Sequence, residues 1–321
     1  MRDLSHGRLA SFLLLLQLVF ASSAFALRVN NVTSKRAVYY YQTVFSSGHN
    51  GTDLISLLPL VNSTNRNKLG KPYTTDVLVG AFHLGPESDN TTMHLNDLPP
   101  SNPIFYPLWN QTAILQKNGV NVNMFLGGYL DQSFVKLAAN FSYYYPILKQ
   151  NLLTYKFNGV DLDVEDMAET TAQIEKLINQ LRTDFGTDFV ITLAPVATDL
   201  QGQGGLSKID YKQLYTDLGS KISWFNVQFY SGYGSLDTPL DYTTIVSNGF
   251  PANIVVAGML SNQANGNGYV DVAIVRNTVK TLLIDYATFG GVDEFEYFNA
   301  EPGGTADPAA WATYFGKAMG E

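Results

Sequence analysis

Residues 157–166 read FNGVDLDVED, and the alternation inside that stretch decides the fold. Asp161, Asp163 and Glu165 fall on every second position, with Val160, Leu162 and Val164 between them. A period of two belongs to a β-strand, whose successive side chains point to opposite faces. One face is then aliphatic and the other carries three carboxylates, with no Lys or Arg inside the stretch to neutralise them. Such a strand either has a solvated acidic face or lines a pocket where the mutual repulsion of its acids is put to use.

Strand-like runs recur on both sides, at 37–43, 75–82, 121–128, 188–195, 223–230, 252–259 and 290–297. Helical patterns separate many of them. In AETTAQIEKLINQLRTDFG (168–186), Ile174, Leu177, Ile178, Leu181 and Phe185 keep helical spacing, and Gly186 offers a stop. Eight strands alternating with helices predict an α/β chain folded as a single-domain (β/α)8 TIM barrel, with its active site at the C-terminal strand ends. The acidic stretch is the fourth strand, and Glu165 stands at its C-terminal end. An open doubly wound sheet is the alternative, but neither GxGxxG nor GxxxxGK[ST] occurs.

The chain opens MRDLSHGRLASFLLLLQLVFASSAFALRV. Arg2 and Arg8 precede an apolar run centred on Leu13 to Phe20, and Ala24-Phe25-Ala26 supplies small residues for cleavage. Residues 1–26 therefore read as a secretory signal peptide, leaving 27–321 as the folded domain; an uncleaved anchor is the competing reading. Cleavage removes Arg2, Arg8 and Asp3 and takes the formal charge from −8 to −9. An acidic secreted chain is a poor partner for nucleic acid or anionic membranes. The absence of cysteine excludes disulfides, Cys-zinc sites and thiol catalysis together. Sequons at Asn31, Asn50, Asn62, Asn90, Asn110 and Asn140 lead us to expect an extracellular glycoprotein modified at some of them. The chain is expected to be a monomer.

Other chemistries fall away quickly. His49, His83 and His94 survive processing, and none sits in HExxH. There is no GxSxG elbow. A calcium loop needs a turn glycine and flexible polar residues where this strand has Leu162 and Val164. Magnesium usually needs phosphates to share its coordination. No cofactor or metal is expected, and acid catalysis on a sugar remains.

Here NGVDLDVE (158–165) resembles the signature of glycoside hydrolase family 18, Asp-Gly-x-Asp-x-Asp-x-Glu, with Asn158 in place of the first Asp. FLGGY (125–129) is similar to the family's Ser-x-Gly-Gly stretch on strand 3, with Phe125 for the serine and Gly127 beside the substrate. WFNVQFYSG (224–232) is similar to the strand-6 stretch carrying the active-site tyrosine, which falls on Tyr230; Asn226 and Gln228 share its face. HLNDLPPSNPIFYPLWNQT (94–112), FVITLAPVA (189–197), GFPANIVVAGML (249–260) and EYFNAEPGGTADP (296–308) resemble the filamentous-fungal endo-β-N-acetylglucosaminidases. HLNDLPP also reads as a capped loop entering a Leu108–Ile114 helix.

The resemblance implies substrate-assisted retaining catalysis, in which the sugar's own acetamido group attacks the anomeric carbon. Glu165 would protonate the leaving oxygen. Asp163 would hold the acetamido N–H, Asp161 would share a proton with Asp163, and Tyr230 would donate to the acetamido oxygen. Tyr41 and Gln228 would be sugar contacts or barrel packing. One departure stands out: Phe295 falls where the family has a floor tryptophan, with Asp293 and Glu294 just before it. Three readings follow. They are release of N-glycans between the core N-acetylglucosamines, a chitinase acting on chitin oligosaccharides, and a silent carbohydrate-binding protein.

Overall fold

Each expected run forms a strand, and the strands pair in parallel until the sheet closes. They are β1 (Arg36–Tyr41), β2 (Asp76–Leu84), β3 (Asn121–Gly127), β4 (Gly159–Asp163), β5 (Val190–Leu193), β6 (Trp224–Gln228), β7 (Val255–Leu260) and β8 (Gly291–Phe295). β1 pairs with β2 on one side and β8 on the other, so the eight form a closed barrel with helices outside, a single-domain (β/α)8 TIM barrel. This computed structural model describes residues 35–48, 51, 53–85 and 92–320. The expected signal peptide and the sequons at Asn31, Asn50 and Asn90 lie outside the described residues. Among the described residues, no helix is long and apolar enough to cross a membrane.

The barrel interior and the layer between sheet and helices are separate cores. Val38, Tyr40, Leu78, Ala81, Phe125, Trp224 and Val256 cluster inside the barrel. A larger cluster, including Tyr39, Tyr41, Val77, Val79, Phe82 and Leu84, packs the outer face against the helices. At the base, the Arg36 guanidinium stacks 4.2 Å from the Trp224 ring centre and donates to the Asn253 carbonyl at 3.2 Å. The cation thus closes the N-terminal end of the barrel, opposite the expected site.

The helix after β4 shows how local signals set the frame. It runs Thr171–Phe185, with Thr170 and Gln173 forming a capping box and Gly186 at its end. Ile174, Leu177, Ile178 and Leu181 are buried, as their spacing predicts.

β2 departs from regular alternation. Leu78 points inward and Val77 and Val79 outward, but the pairing with β3 shifts register between Val79 and Phe82. Beyond the shift Ala81 points inward, while Phe82 and Leu84 point outward. A short antiparallel strand, Met93–Leu95, then adds to the end of β2 and leads into the Tyr106–Lys117 helix. The capped-loop reading of 94–100 missed that strand.

Candidate active site

The acids of β4 meet at the barrel mouth because strand alternation turns Asp161 and Asp163 inward together. Asp161 is fully buried and accepts three hydrogen bonds: from Tyr40 Oη at 2.8 Å, Thr192 Oγ1 at 2.5 Å and Asn226 Nδ2 at 3.0 Å. Burial raises its pKa, and these three donors oppose the rise. Asn158, the departure from the family pattern, lies outside this group. Its Oδ1 accepts from Val122 N at 2.9 Å and Gln116 Nε2 at 2.9 Å, tying the start of β4 to its neighbours.

Asp163 sits one step higher. Its pKa is held well above the ordinary range by burial, then by the charges of Glu165 and Asp161. It is also hydrogen-bonded to Glu165, which raises it further. Asp161 already has three neutral donors, and Glu165 does not. Glu165 is partly exposed and also raised by burial, against hydrogen bonds from Gln228 and Asp163. Gln228 Nε2 spans the pair, 3.2 Å from Asp163 Oδ1 and 3.0 Å from Glu165 Oε1, and also lies 2.9 Å from the Ala194 carbonyl.

The strand-3 glycines let this site exist. Gly127 has φ +105°, and a Cβ there would stand 2.2 Å from the Asp163 carbonyl oxygen. Gly128, also at φ +105°, donates its N–H to that same oxygen at 2.9 Å. At Gly127 no side chain fits this approach, and at both positions the positive φ favours glycine.

A cavity of about 650 Å³ opens above the acids, lined among others by Tyr40, Phe125, Gly127, Asp163, Glu165, Gln228, Tyr230 and Phe295. Burial and the surrounding carboxylates raise the Tyr230 phenol well above its usual pKa, so it stays a hydrogen-bond donor. The Phe295 ring lies 6.0 Å from that of Tyr40. Asn226 is buried and serves Asp161 rather than facing the cavity.

Tyr41 is a correction. It is fully buried in the outer core, where its hydroxyl donates to the Ile55 carbonyl at 2.6 Å and its ring lies against Tyr297. Its neighbour Tyr40 faces the cavity instead. Three consecutive tyrosines, 39 to 41, give no apolar-polar alternation from which to read the phase of β1.

Asp293 also has a definite place. It points into the barrel at 3% exposure, with Oδ2 unpartnered among the described residues. Gly258 on β7 makes the room, since a Cβ there would be 2.6 Å from Asp293 Oδ1. Burial, then the charge of Asp161, raises the Asp293 pKa well above the ordinary range. Thr192 and His83 carry no sequence signal as site residues, and both belong to the site's surroundings.

The carboxylates of β4 thus stand beneath an open cavity at the C-terminal face of a closed (β/α)8 barrel, where enzymes of this fold place their active sites. The chain belongs to the glycosyl hydrolases family 18, whose sequence profile matches residues 36–279. It is similar to a fungal endo-β-N-acetylglucosaminidase of that family, with 37% identity and a TM-score of 0.79 over 88% of this chain and 97% of the other. It is also similar to the chitinase ChiC of Aspergillus fumigatus, with 39% identity and a TM-score of 0.77 over 89% and 99%. Chitinase 2 of Rhizopus oligosporus is 27% identical over 146 residues, which is 43% of this chain and 25% of that protein. The chain spans less than half the length of the curated relatives it matches.

Proposed function

We propose that the protein is a secreted glycosidase hydrolysing β-1,4 linkages after N-acetylglucosamine by substrate-assisted retention. Within that chemistry we read it as an endo-β-N-acetylglucosaminidase cleaving the chitobiose core of N-glycans. The observation that carries the mechanism is the hydrogen-bonded Asp163–Glu165 pair bridged by Gln228. Together the two acids hold the one proton that the leaving group needs. When an acetamido N–H reaches Asp163, that carboxyl becomes an acceptor and its proton passes to Glu165. Glu165 then protonates the glycosidic oxygen as the acetamido oxygen bonds to the anomeric carbon and the glycosidic bond breaks. Asp163 stabilises the resulting oxazolinium cation, and Tyr230 donates to the attacking oxygen. Water, deprotonated by Glu165, then opens the ring with the original configuration.

Phe295 fits as the floor of the reacting sugar, since an aromatic face beneath the cavity suits the apolar face of a pyranose. The N-glycan reading is supported by the 37% identity to a fungal endo-β-N-acetylglucosaminidase across nearly its whole length. The 39% identity to an Aspergillus chitinase favours a second reading, a chitinase acting on the same bond within chitin oligosaccharides. Asn62, Asn110 and Asn140 are exposed, which suits sequons used in a secretory pathway. Incubation with a high-mannose glycoprotein and, separately, with chitin oligomers, read by mass spectrometry, tests the proposal. Release of glycans bearing a single N-acetylglucosamine supports the first reading, and chitobiose-type products alone support the second. No product from either substrate overturns both.

A further inference from the structure

We infer that His83 reads a hydrogen-bond donor of the bound carbohydrate, a hydroxyl or an acetamido N–H, through a ring nitrogen whose role is set by Asp131. The inference rests on the glycosidase reading above and deepens it. His83 lies on the part of β2 beyond the register shift. Strict alternation from the inward Leu78 would turn residue 83 out toward the helices. The shift between Val79 and Phe82 instead carries Ala81 and His83 to the cavity side, and both line the cavity that holds Asp163 and Glu165. Bulges that re-aim one side chain are a recurring device beside active sites.

The ring is also anchored. His83 Nδ1 lies 2.8 Å from Asp131 Oδ2, with the two side chains 31% and 8% exposed. The other Asp131 oxygen accepts from Ser133 N at 2.8 Å, and Ser133 Oγ accepts from Leu84 N at 2.8 Å. The carboxylate is therefore held on the loop after β3, and that loop is pinned to the residue following His83. An anchored carboxylate facing Nδ1 keeps the proton on that nitrogen and leaves Nε2 as an acceptor. Nε2 is the ring's remaining polar atom, on a side chain that is still a third exposed and lines the sugar cavity. His94, opposite His83 in the antiparallel pair, is buried and belongs to the hairpin. A fixed acceptor at the wall of a carbohydrate cavity complements the O–H and N–H groups that an amino sugar presents.

The test uses full-length protein carrying Glu165→Gln, which keeps sugars uncleaved, with histidine labelled by ¹⁵N. The chain has only 4 histidines, so loss of one signal set in His83→Gln identifies His83. Long-range proton–nitrogen spectra should show His83 protonated at Nδ1 and bare at Nε2. Addition of chitin tetramer or a high-mannose glycan-asparagine should move the Nε2 resonance in the direction of hydrogen bonding. His83→Phe should weaken binding of the same sugar by roughly 2- to 10-fold, the worth of one hydrogen bond, with His83→Gln retaining more of it. A sugar that binds while the His83 Nε2 resonance stays in place overturns the assignment alone. Failure of both sugars to bind overturns the glycosidase reading and the assignment with it.

Discussion

Trp224 Nε1 donates to Asn226 Oδ1 at 2.7 Å, and that bond turns the Asn226 amide so that Nδ2 faces Asp161 Oδ1 at 3.0 Å. An amide has one acceptor end and one donor end, so committing the first to the indole commits the second to the carboxylate. The indole in turn is stacked under Arg36 at the base of the barrel. The donor that Asn226 offers Asp161 is thus set by a chain of contacts that reaches Arg36 at the base of the barrel.

Asn226→Leu removes one of the three donors to Asp161 and leaves the indole N–H without its acceptor. A hydrogen bond to a charged group is worth about 1.5–3 kcal/mol, so kcat/KM should fall roughly 10- to 100-fold. Losing a donor to the ionised form also raises the Asp161 pKa further, so the acidic limb of the pH–rate profile should move to higher pH. Rates across pH, with thermal melts to separate the effect from unfolding, check both outcomes.

Glu165→Gln keeps the side chain's length and an oxygen for Gln228 while removing the transferable proton. Turnover should drop by roughly 10²–10⁴-fold, the usual contribution of a positioned general acid, with sugar affinity little changed. Single-turnover kinetics beside calorimetric binding of a chitin oligomer measures the two separately.

Phe295→Ala removes the ring that lies beside Tyr40 in the cavity wall. The variant should lose at least the stacking preference of an aromatic face, about 0.5–1.5 kcal/mol, from binding of the reacting sugar. Competition with a thiazoline mimic of the oxazolinium ion reads this directly, because that ligand occupies the floor position. Unchanged affinity would remove Phe295 from the sugar's path.

Stability should depend on pH in a defined direction. Glu169, buried between the β4 loop and the helices and close to Asp166, is pushed from 4.5 to about 7, first by burial. Between those values the folded state keeps a proton that the unfolded state has lost. The stabilisation is therefore complete below about pH 4.5 and is lost as pH rises through about 7. Asp161, Asp163 and Asp293 are shifted in the same direction. The melting temperature should thus be higher near pH 5 than near pH 8, and Glu169→Gln should flatten part of that slope.

The barrel was legible from its strands because each buried run is bounded by turn residues and separated by a helix-length segment. The β4 acids were legible because their alternation is strict. Tyr41 was misread for Tyr40 because consecutive tyrosines hide the phase of β1, and both faces of that strand are buried. His83 was invisible as a site residue because the register shift in β2 depends on pairing with β3, which no local pattern announces. Asp293 could not be assigned to a face either. In GGVDEFEY the acids occupy both phases of the strand, and the space for Asp293 comes from Gly258 on a different strand.

The measurement that bears most directly on the central claim is the anomeric configuration of the first product. Chitin tetramer or a high-mannose glycopeptide is mixed with enzyme and followed by proton NMR before mutarotation scrambles the anomers. Attack by the acetamido oxygen, followed by water on the opposite face, leaves the new reducing sugar as the β-anomer first, with the α-anomer appearing only later. An α-anomer formed first would mean that water displaces the leaving group in one step. The Asp163–Glu165 pair would then have been assigned the wrong chemistry.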